Sequence, residues 1–490
     1  MKIHMIGHAS IFVETQDARI LMDPVLWDPF CEGLNETCPK RELIPEKLPE
    51  FDFLIISHQH LDHFDLRTLA YLPKNVDVLI PKDAVIADSL RQLGYVHIYP
   101  LREFQKVRIG STTLMTTRSE VRVPEFGMLF ADESGVFWNT VDTYFAPQTI
   151  QAVKANYPEI DFLLATWHIS LENKYQLNQN LQFPFALYGE LINLIQLIEP
   201  KAIAPGAQGW KYIKEAEWQN KIVFPLTRER FCHDIKKVLP QIDNNVFVLD
   251  PGDIFTLESG KYSLESAGCD YVKTLIDDRE CLEFAPVKIA GDLIDSNPDN
   301  HNISLIEQVI SQALQVETID FINEYSQNIF LNNQRWQVIY QLEITYPQKT
   351  EIWHIDFSKP EIKFIKNRNP LANFFSYITA SGFYNLIEKK RNWDYLYCSG
   401  EYRNFHKIYS LNNLGILTPP ENTIIDPILI KYSSEYIAAE NIKTELAKII
   451  ENNQTSLTND CQKDSKAGNM LNLGNVLIKM KNNQKEEVIS

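Results

Sequence analysis

Residues 55–65, IISHQHLDHFD, set His58, His60, Asp62 and His63 in an H-x-H-x-D-H pattern directly behind the apolar run FLIIS. Imidazole nitrogen and carboxylate oxygen are donors suited to zinc, iron or manganese. The run before the pattern reads as a buried strand, and LRTLAYL after it reads as a helix. The ligand-type residues therefore sit on a strand-to-helix turn. Such a turn can aim positions i, i+2, i+4 and i+5 at two adjacent metal positions, with His58 and His60 facing one ion and Asp62 and His63 the other. A histidine on a loop is ordinarily just solvated, but four ligand-type residues at this spacing behind a strand fit that explanation poorly.

The elements that must hold this turn are short strands interleaved with helices. KIHMIG, SIFVET, ARILMD, FLIISH, DVLIP, TTLMTT, GMLFAD, VFWNTVD, DFLLATWH and KAIAPG have strand character, and helical patterns cover 84–93, 147–155, 185–198 and 226–238. That alternation predicts an α/β layered domain over residues 1–260. After VLDPGDIFTLESG the character changes. Residues 300–330 read as helical, RWQVIYQLEIT and EIWHIDF as strands, and NPLANFFSYITASGFYNLIEKK as a helix, predicting a smaller α+β accessory domain over 261–450. Residues 451–490, rich in Asn, Gln, Lys and Glu, read as a flexible tail apart from the apolar patch MLNLGNVLIKM.

Composition narrows the function classes. The chain has 490 residues, 44% of them hydrophobic, which is ample for two cores. A net charge of −17 argues against a nucleic-acid partner. No run of eighteen apolar residues predicts a membrane span, and the start MKIHMIGHAS reads as a first strand, not as a signal peptide. The 7 cysteines are scattered without a C-x-x-C pair, so a disulfide framework is not expected and a reducing cytoplasm is.

With IGHASIFVET, ARILMDPV and H-x-H-x-D-H in place, residues 1–255 resemble the metallo-β-lactamase superfamily, in the branch of N-acyl-phosphatidylethanolamine phospholipase D-like and ascorbate-lactonase-like hydrolases. The resemblance implies an αββα sandwich with a dinuclear metal site at one edge. It also implies three further ligands: a histidine on a loop, a bridging aspartate at a strand end and a last histidine. Asp142, ending GVFWNTVD, and His168, ending DFLLATWH, match the second and third. The first has no match, because the only histidine between His63 and Asp142 is His97, which comes too early. The loop RSEVRVPEFG offers Glu120 and Glu125 in its place, with Glu120 expected as the ligand and Glu125 expected off the site after Pro124. The implied set is His58, His60, Glu120 and Asp142 on one ion, and Asp62, His63, His168 and the shared Asp142 on the other.

A glutamate in place of histidine makes the site harder and more anionic, favouring iron or manganese over zinc. In this it resembles the diiron β-hydroxylase of chloramphenicol biosynthesis and, more remotely, the sialic-acid-nucleotide hydroxylases. The expectation is thus a diiron oxygenase holding two iron ions, with zinc or manganese as alternatives, that hydroxylates a small-molecule or carrier-protein-bound substrate in specialised metabolism. Its rival is a dinuclear hydrolase of a phosphodiester, lactone or amide. The chain shows no Rieske pattern and no G-x-G-x-x-G, so an external reductase or ferredoxin is the expected electron source. His8 reads either as a donor orienting a metal-bound carboxylate or as a hydrogen-bonded histidine at the sandwich edge. Arg118 and Arg122 read as an anion clamp or as surface charges, and Asp65 as a solvated acid at a helix start. In APGAQGW, where hydrolases of this branch often carry another histidine, Gln208 is the polar side chain. The aromatic stretch 391–409 reads mainly as packing.

Overall fold

The computed structural model describes all residues except 122, 177–182, 208, 285–292, 413–414, 421, 434, 454–466 and 481–490. Two units are distinguishable: Met1–Ser170, Phe183–Ala285 and Glu445–Ser490 form one, and Leu171–Gln182 with Pro286–Thr444 form the other.

The first unit is built on two eight-stranded sheets. In one, Lys2–Gly7, Ser10–Glu14 and Arg19–Met22 form an antiparallel meander, and Phe53–Ile55, Asp77–Pro81 and His97–Leu101 add in parallel. In the other, Lys106–Ile109, Thr112–Arg118, Phe126–Asp132 and Gly135–Asn139 are antiparallel, and Phe162–Ala165 and Ile203–Pro205 follow in parallel. Alternation along each strand decides which face meets which layer. Leu114, Met128, Phe130 and Phe137 enter the core shared with Ile3, Ile11, Ile20 and Phe53 of the first sheet. Their sequence neighbours Met115, Leu129 and Trp138 turn to the opposite face. There they pack on Ile150 and Val153, on Leu191 and Ile195, and on Phe231 and Ile235. Those residues come from the helices Pro147–Asn156, Phe185–Ile198 and Arg228–Val238. Burying one side chain as fully as Phe137 contributes roughly 1.5–3 kcal/mol. The result is the α/β sandwich with helices outside that the sequence implied.

Two boundaries differ from expectation. The strand Lys261–Glu265 pairs with Ile254–Glu258, and Val272–Ile276 pairs with Lys40–Leu43, so the first unit runs past residue 260. The expected flexible tail contains a hairpin, Met470–Leu473 with Val476–Lys479, whose second strand extends the sheet alongside Lys106–Ile109. Leu477 carries it into the core. Asp77, 1% exposed, accepts the Gly468 N–H at 2.7 Å and the Lys479 ammonium, tying this hairpin to the other sheet. Lys479→Met would leave that carboxylate buried without its counter-charge. The expected loss is about 3 kcal/mol, read as a lower denaturation midpoint in urea at neutral pH.

The second unit is α+β. Its sheet runs Thr350–Asp356, Ile339–Thr345, Phe374–Thr379, Tyr402–His406, backed by helices including Ile303–Gln312 and Ala380–Ile387. The segment expected to be one helix divides. FFSYIT, aromatic and β-branched, pairs in parallel with Ile339–Thr345. Thr379 then caps the helix by accepting the Gly382 N–H. In the aromatic stretch, Trp393 packs on Tyr402 at 4.7 Å between ring centres, and the Tyr402 hydroxyl donates to Asp426 at 2.7 Å.

Candidate metal centre

The ligand turn leaves the strand Phe53–Ile55 in the interior of its sheet and ends at the helix Leu66–Tyr71. The His60 carbonyl accepts the N–H groups of His63 and Phe64 at 2.9 and 2.8 Å, which folds the turn back on itself. Asp65 begins the helix buried, not solvated: it accepts Arg67 at 3.1 Å and the Thr68 hydroxyl at 2.8 Å.

Asp23, which the sequence reading did not single out, organises the turn. It follows the strand Arg19–Met22, which runs parallel to Phe53–Ile55, and sits at a positive φ of 46°. Its carboxylate accepts Ser57 N–H at 2.7 Å, Ser57 O–H at 2.6 Å and His63 Nδ1–H at 3.0 Å. The Ser57 hydroxyl has spent its proton on Asp23 and so accepts from His58 Nδ1 at 2.9 Å. Both histidines thereby carry their proton on Nδ1 and present Nε2 to the same space. His58 Nε2 lies 2.8 Å from His60 Nδ1, and His63 Nε2 lies 3.1 Å from Asp142 Oδ2. Asp23→Ala should therefore cost about 10–100-fold in metal affinity, measured by competition against a chromophoric chelator, while every direct donor stays in place.

Asp142 and His168 come from parallel neighbours in the second sheet. Beyond Gly135–Asn139 the chain turns through Val141, at φ 52°, whose N–H donates to Asn139 Oδ1 at 3.0 Å and whose carbonyl accepts the Thr166 hydroxyl at 2.8 Å. Thr140 Oγ1 accepts the Thr166 N–H at 2.7 Å, locking the loop that carries Asp142 to the segment that carries His168. Backbone held in this sparsely populated region is characteristic of functional loops. His8, also at positive φ, accepts Gly209 N–H on Nδ1 at 3.3 Å and so donates from Nε2 to Asp62 Oδ2 at 2.9 Å. It orients a carboxylate of the cluster.

His58, Asp62, His63, Asp142 and His168 thus converge, with His60 against His58. Within this cluster, His58, His63 and Asp142 offer donor atoms within 4.8 Å of one another, as do His8, Asp62 and His63. Glu120 is not brought in. Its N–H is fixed to the Tyr144 carbonyl at 2.7 Å, and its carboxylate is 43% exposed beside Arg118 at 3.8 Å. Glu125, expected off the site, instead lies near enough to Asp142 and His63 to feel their charges. The next residue, Phe126, donates its N–H to the Ser57 carbonyl at 3.3 Å, which draws the start of that strand against the ligand turn. Burial and the charge of Asp142 push the Glu125 carboxyl up to about 8. Arg118 is occupied by Glu103 and Glu120 at the surface. Arg122 and Gln208 lie outside the described residues.

The donor set fits a cation. Glu125 Oε1, Asp142 Oδ1 and His168 Nδ1 are buried and have no hydrogen-bond partner among the described residues. Burial alone would lower His63, yet the carboxylates of Asp62 and Asp142 hold its imidazole well above the ordinary value. Burial would raise Asp142, yet His63, with His168 and His58, holds it well below the carboxylate range. Buried anionic oxygens crowded against imidazole nitrogens form a place for positive charge.

Residues 2–147 match the family model of the beta-lactamase superfamily domain. A protein of Mycobacterium tuberculosis (strain H37Rv), assigned by name to the Rieske 2Fe-2S iron-sulfur proteins, is 31% identical over 119 residues, 22% of each chain. The N-acyl-phosphatidylethanolamine-hydrolyzing phospholipase D 1 of Caenorhabditis elegans is 36% identical over 64 residues, 12% of this chain and 18% of that one. The matched stretches thus span about a fifth of the length of these curated relatives. The solved structure of CmlA, a diiron beta-hydroxylase from Streptomyces venezuelae, is 18% identical with a TM-score of 0.32, covering 42% of this chain and 45% of that one. No helix among the described residues is long and apolar enough to cross a membrane.

Proposed function

We propose that this chain, whose residues 2–147 match the family model of the beta-lactamase superfamily domain, is a dinuclear iron oxygenase that hydroxylates a small-molecule or carrier-protein-bound substrate. The observation that carries the reading is the half-buried Glu125 carboxylate, which feels the charge of Asp142 and has one buried oxygen without a partner among the described residues. His58, His60, Glu125 and Asp142 would hold one ion, and Asp62, His63, His168 and the shared Asp142 the other. Three carboxylates with four imidazoles and no thiolate form a hard, anionic set that favours iron or manganese over zinc. An iron pair held there supplies the redox chemistry for activating dioxygen, with electrons from a separate reductase or ferredoxin. The chain's own residues do the positioning. Asp23 and Ser57 fix the imidazole tautomers, His8 fixes Asp62, and the hydroxyls of Thr140 and Thr166 fix the loop of Asp142. The Rieske name of the mycobacterial relative supports pairing such a domain with one-electron transfer.

A hydrolase is the second reading, favoured by the likeness to the phospholipase D. In that case the metal pair would supply a hydroxide nucleophile. Two assays on the full chain separate the readings. The iron-loaded, chemically reduced protein is expected to consume dioxygen well above free iron at equal concentration. The zinc-loaded protein is expected to turn over phosphodiester, lactone and amide substrates slowly or not at all. Rapid zinc-supported hydrolysis without a reductant would overturn the oxygenase reading.

A further inference from the structure

Six free cysteines are described, and two of them are drawn to one residue, Asp278. Cys38, buried, follows the strand Asn35–Thr37; Cys281, half-buried, lies in the 3-10 turn Arg279–Leu282. The strand pair Val272–Ile276 and Lys40–Leu43 brings these distant stretches of chain together. Asp278 fastens them. Its Oδ1 accepts Lys40 N–H at 3.0 Å and the Cys38 thiol at 3.5 Å, and its Oδ2 accepts Lys211 Nζ at 2.5 Å. The Cys281 N–H donates to the Asp278 carbonyl at 3.1 Å, and the two thiols lie near enough to shift one another's acidity.

We propose that Cys38 and Cys281 are a redox modification site: a thiol pair that closes reversibly to a disulfide and passes its state to the metal centre through Gly209 and His8. The Asp278 carboxylate holds the Cys38 thiol and the Lys40 N–H, and the Asp278 carbonyl accepts the Cys281 N–H at 3.1 Å, so both cysteines are fastened at one residue and closure to disulfide geometry is a local movement. The roles of the two sulfurs differ. The hydrogen bond from Cys38, aided by the Lys211 ammonium, lowers the Cys281 thiol despite its burial. The bond to Cys281, burial and Asp278 raise the Cys38 thiol. Cys281, the less buried of the two, is therefore the attacking thiolate, and the buried Cys38 the resolving thiol.

The oxidant is a low-molecular-weight disulfide. The Cys281 sulfur attacks one of its sulfurs, breaking that S–S bond and releasing one small thiolate, which takes up the Cys281 proton. Cys38 passes its proton to Asp278, and its sulfur attacks the mixed disulfide at Cys281. The second small thiolate leaves and takes that proton from Asp278. Two protein thiols are oxidised by two electrons, and one external disulfide is reduced to two thiols.

The link to the centre is a chain of hydrogen bonds. Cys38 N–H donates to the Gly209 carbonyl at 2.8 Å, Gly209 N–H donates to His8 Nδ1 at 3.3 Å, and His8 Nε2 donates to Asp62 at 2.9 Å. There is no slack at Gly209, where a Cβ would stand 3.0 Å from His8 N. A shift of Cys38 on closure therefore reaches the histidine that orients Asp62. This coupling rests on the reading of Asp62 as a metal ligand; the thiol pair does not.

The test treats the full chain with oxidised glutathione and maps its peptides without reduction. The expected product is one peptide pair linked through Cys38 and Cys281, reversed by dithiothreitol and absent in Cys281→Ser. Glutathione retained on Cys281 without that link would overturn the thiol pair. Metal release to EDTA is then timed on iron-loaded oxidised and reduced protein. A several-fold difference in rate is expected, lost in Cys281→Ser. Equal rates with the disulfide formed would overturn the coupling. Protein that binds no metal in either state would instead overturn the metal reading of Asp62, and with it the coupling, leaving the peptide map to decide the thiol pair alone.

Discussion

Asp142→Ala is expected to reduce metal content from two ions to one or none and to abolish metal-dependent activity. Asp142 is the carboxylate that would be shared by the two proposed ions, with Oδ2 at 3.1 Å from His63 Nε2 and Oδ1 without a partner among the described residues. A bridging ligand serves both ions, so its loss should exceed the roughly 100-fold upper range for residues that only orient ligands. The metal-free fold should survive. The loop around Asp142 is held by Asn139, Thr140 and Thr166, not by the Asp142 side chain. Removing Asp142 also removes a carboxylate that disfavours the charged form of Glu125. Elemental analysis with a thermal melt of the metal-free variant checks both halves. A variant that keeps two ions would show that Asp142 does not bridge.

Glu125→His is expected to shift the metal preference toward zinc. The substitution replaces a carboxylate oxygen, anionic once a metal displaces its proton, with a neutral, softer nitrogen at the position that gives the proposed site its carboxylate excess. A change of about tenfold in the zinc-to-iron ratio, equivalent to about 1.4 kcal/mol, is the expected size. Dioxygen uptake should fall with it. Glu120→Ala, made in parallel, should leave metal content unchanged, because that carboxylate sits in solvent beside Arg118. The comparison is read by competitive loading from an equimolar mixture of the two metals. Loss of metal in Glu120→Ala with none in Glu125→His would return the ligand role to Glu120.

The difference between these two glutamates shows where the sequence was legible. The ligand turn, Asp142 and His168 were readable because each follows an apolar strand, and a strand end is a fixed point at the sandwich edge. The loop after Thr112–Arg118 offered no such anchor. Glu125 immediately precedes a core strand, Phe126–Asp132, whereas Glu120 stands two residues past a strand end, where its carboxylate meets Arg118 in solvent. Asp23 also adjoins a strand, standing directly after Arg19–Met22, but a carboxylate that binds only other residues has no motif spacing of its own. The hairpin Met470–Lys479 was hidden for another reason. Two short strands gain their stability from the sheet edge they join, which local pattern does not display. The strand Phe374–Thr379 ran into its helix without a break in hydrophobicity, so period alone did not divide them.

The metal stoichiometry of the full chain, purified and reconstituted anaerobically with ferrous iron and zinc both available, tests the central claim most directly. Two metal ions per chain with iron dominant is the result predicted by a carboxylate-rich pair of sites built on His58, His60, Asp62, His63, Glu125, Asp142 and His168. One zinc per chain with no second ion would contradict it.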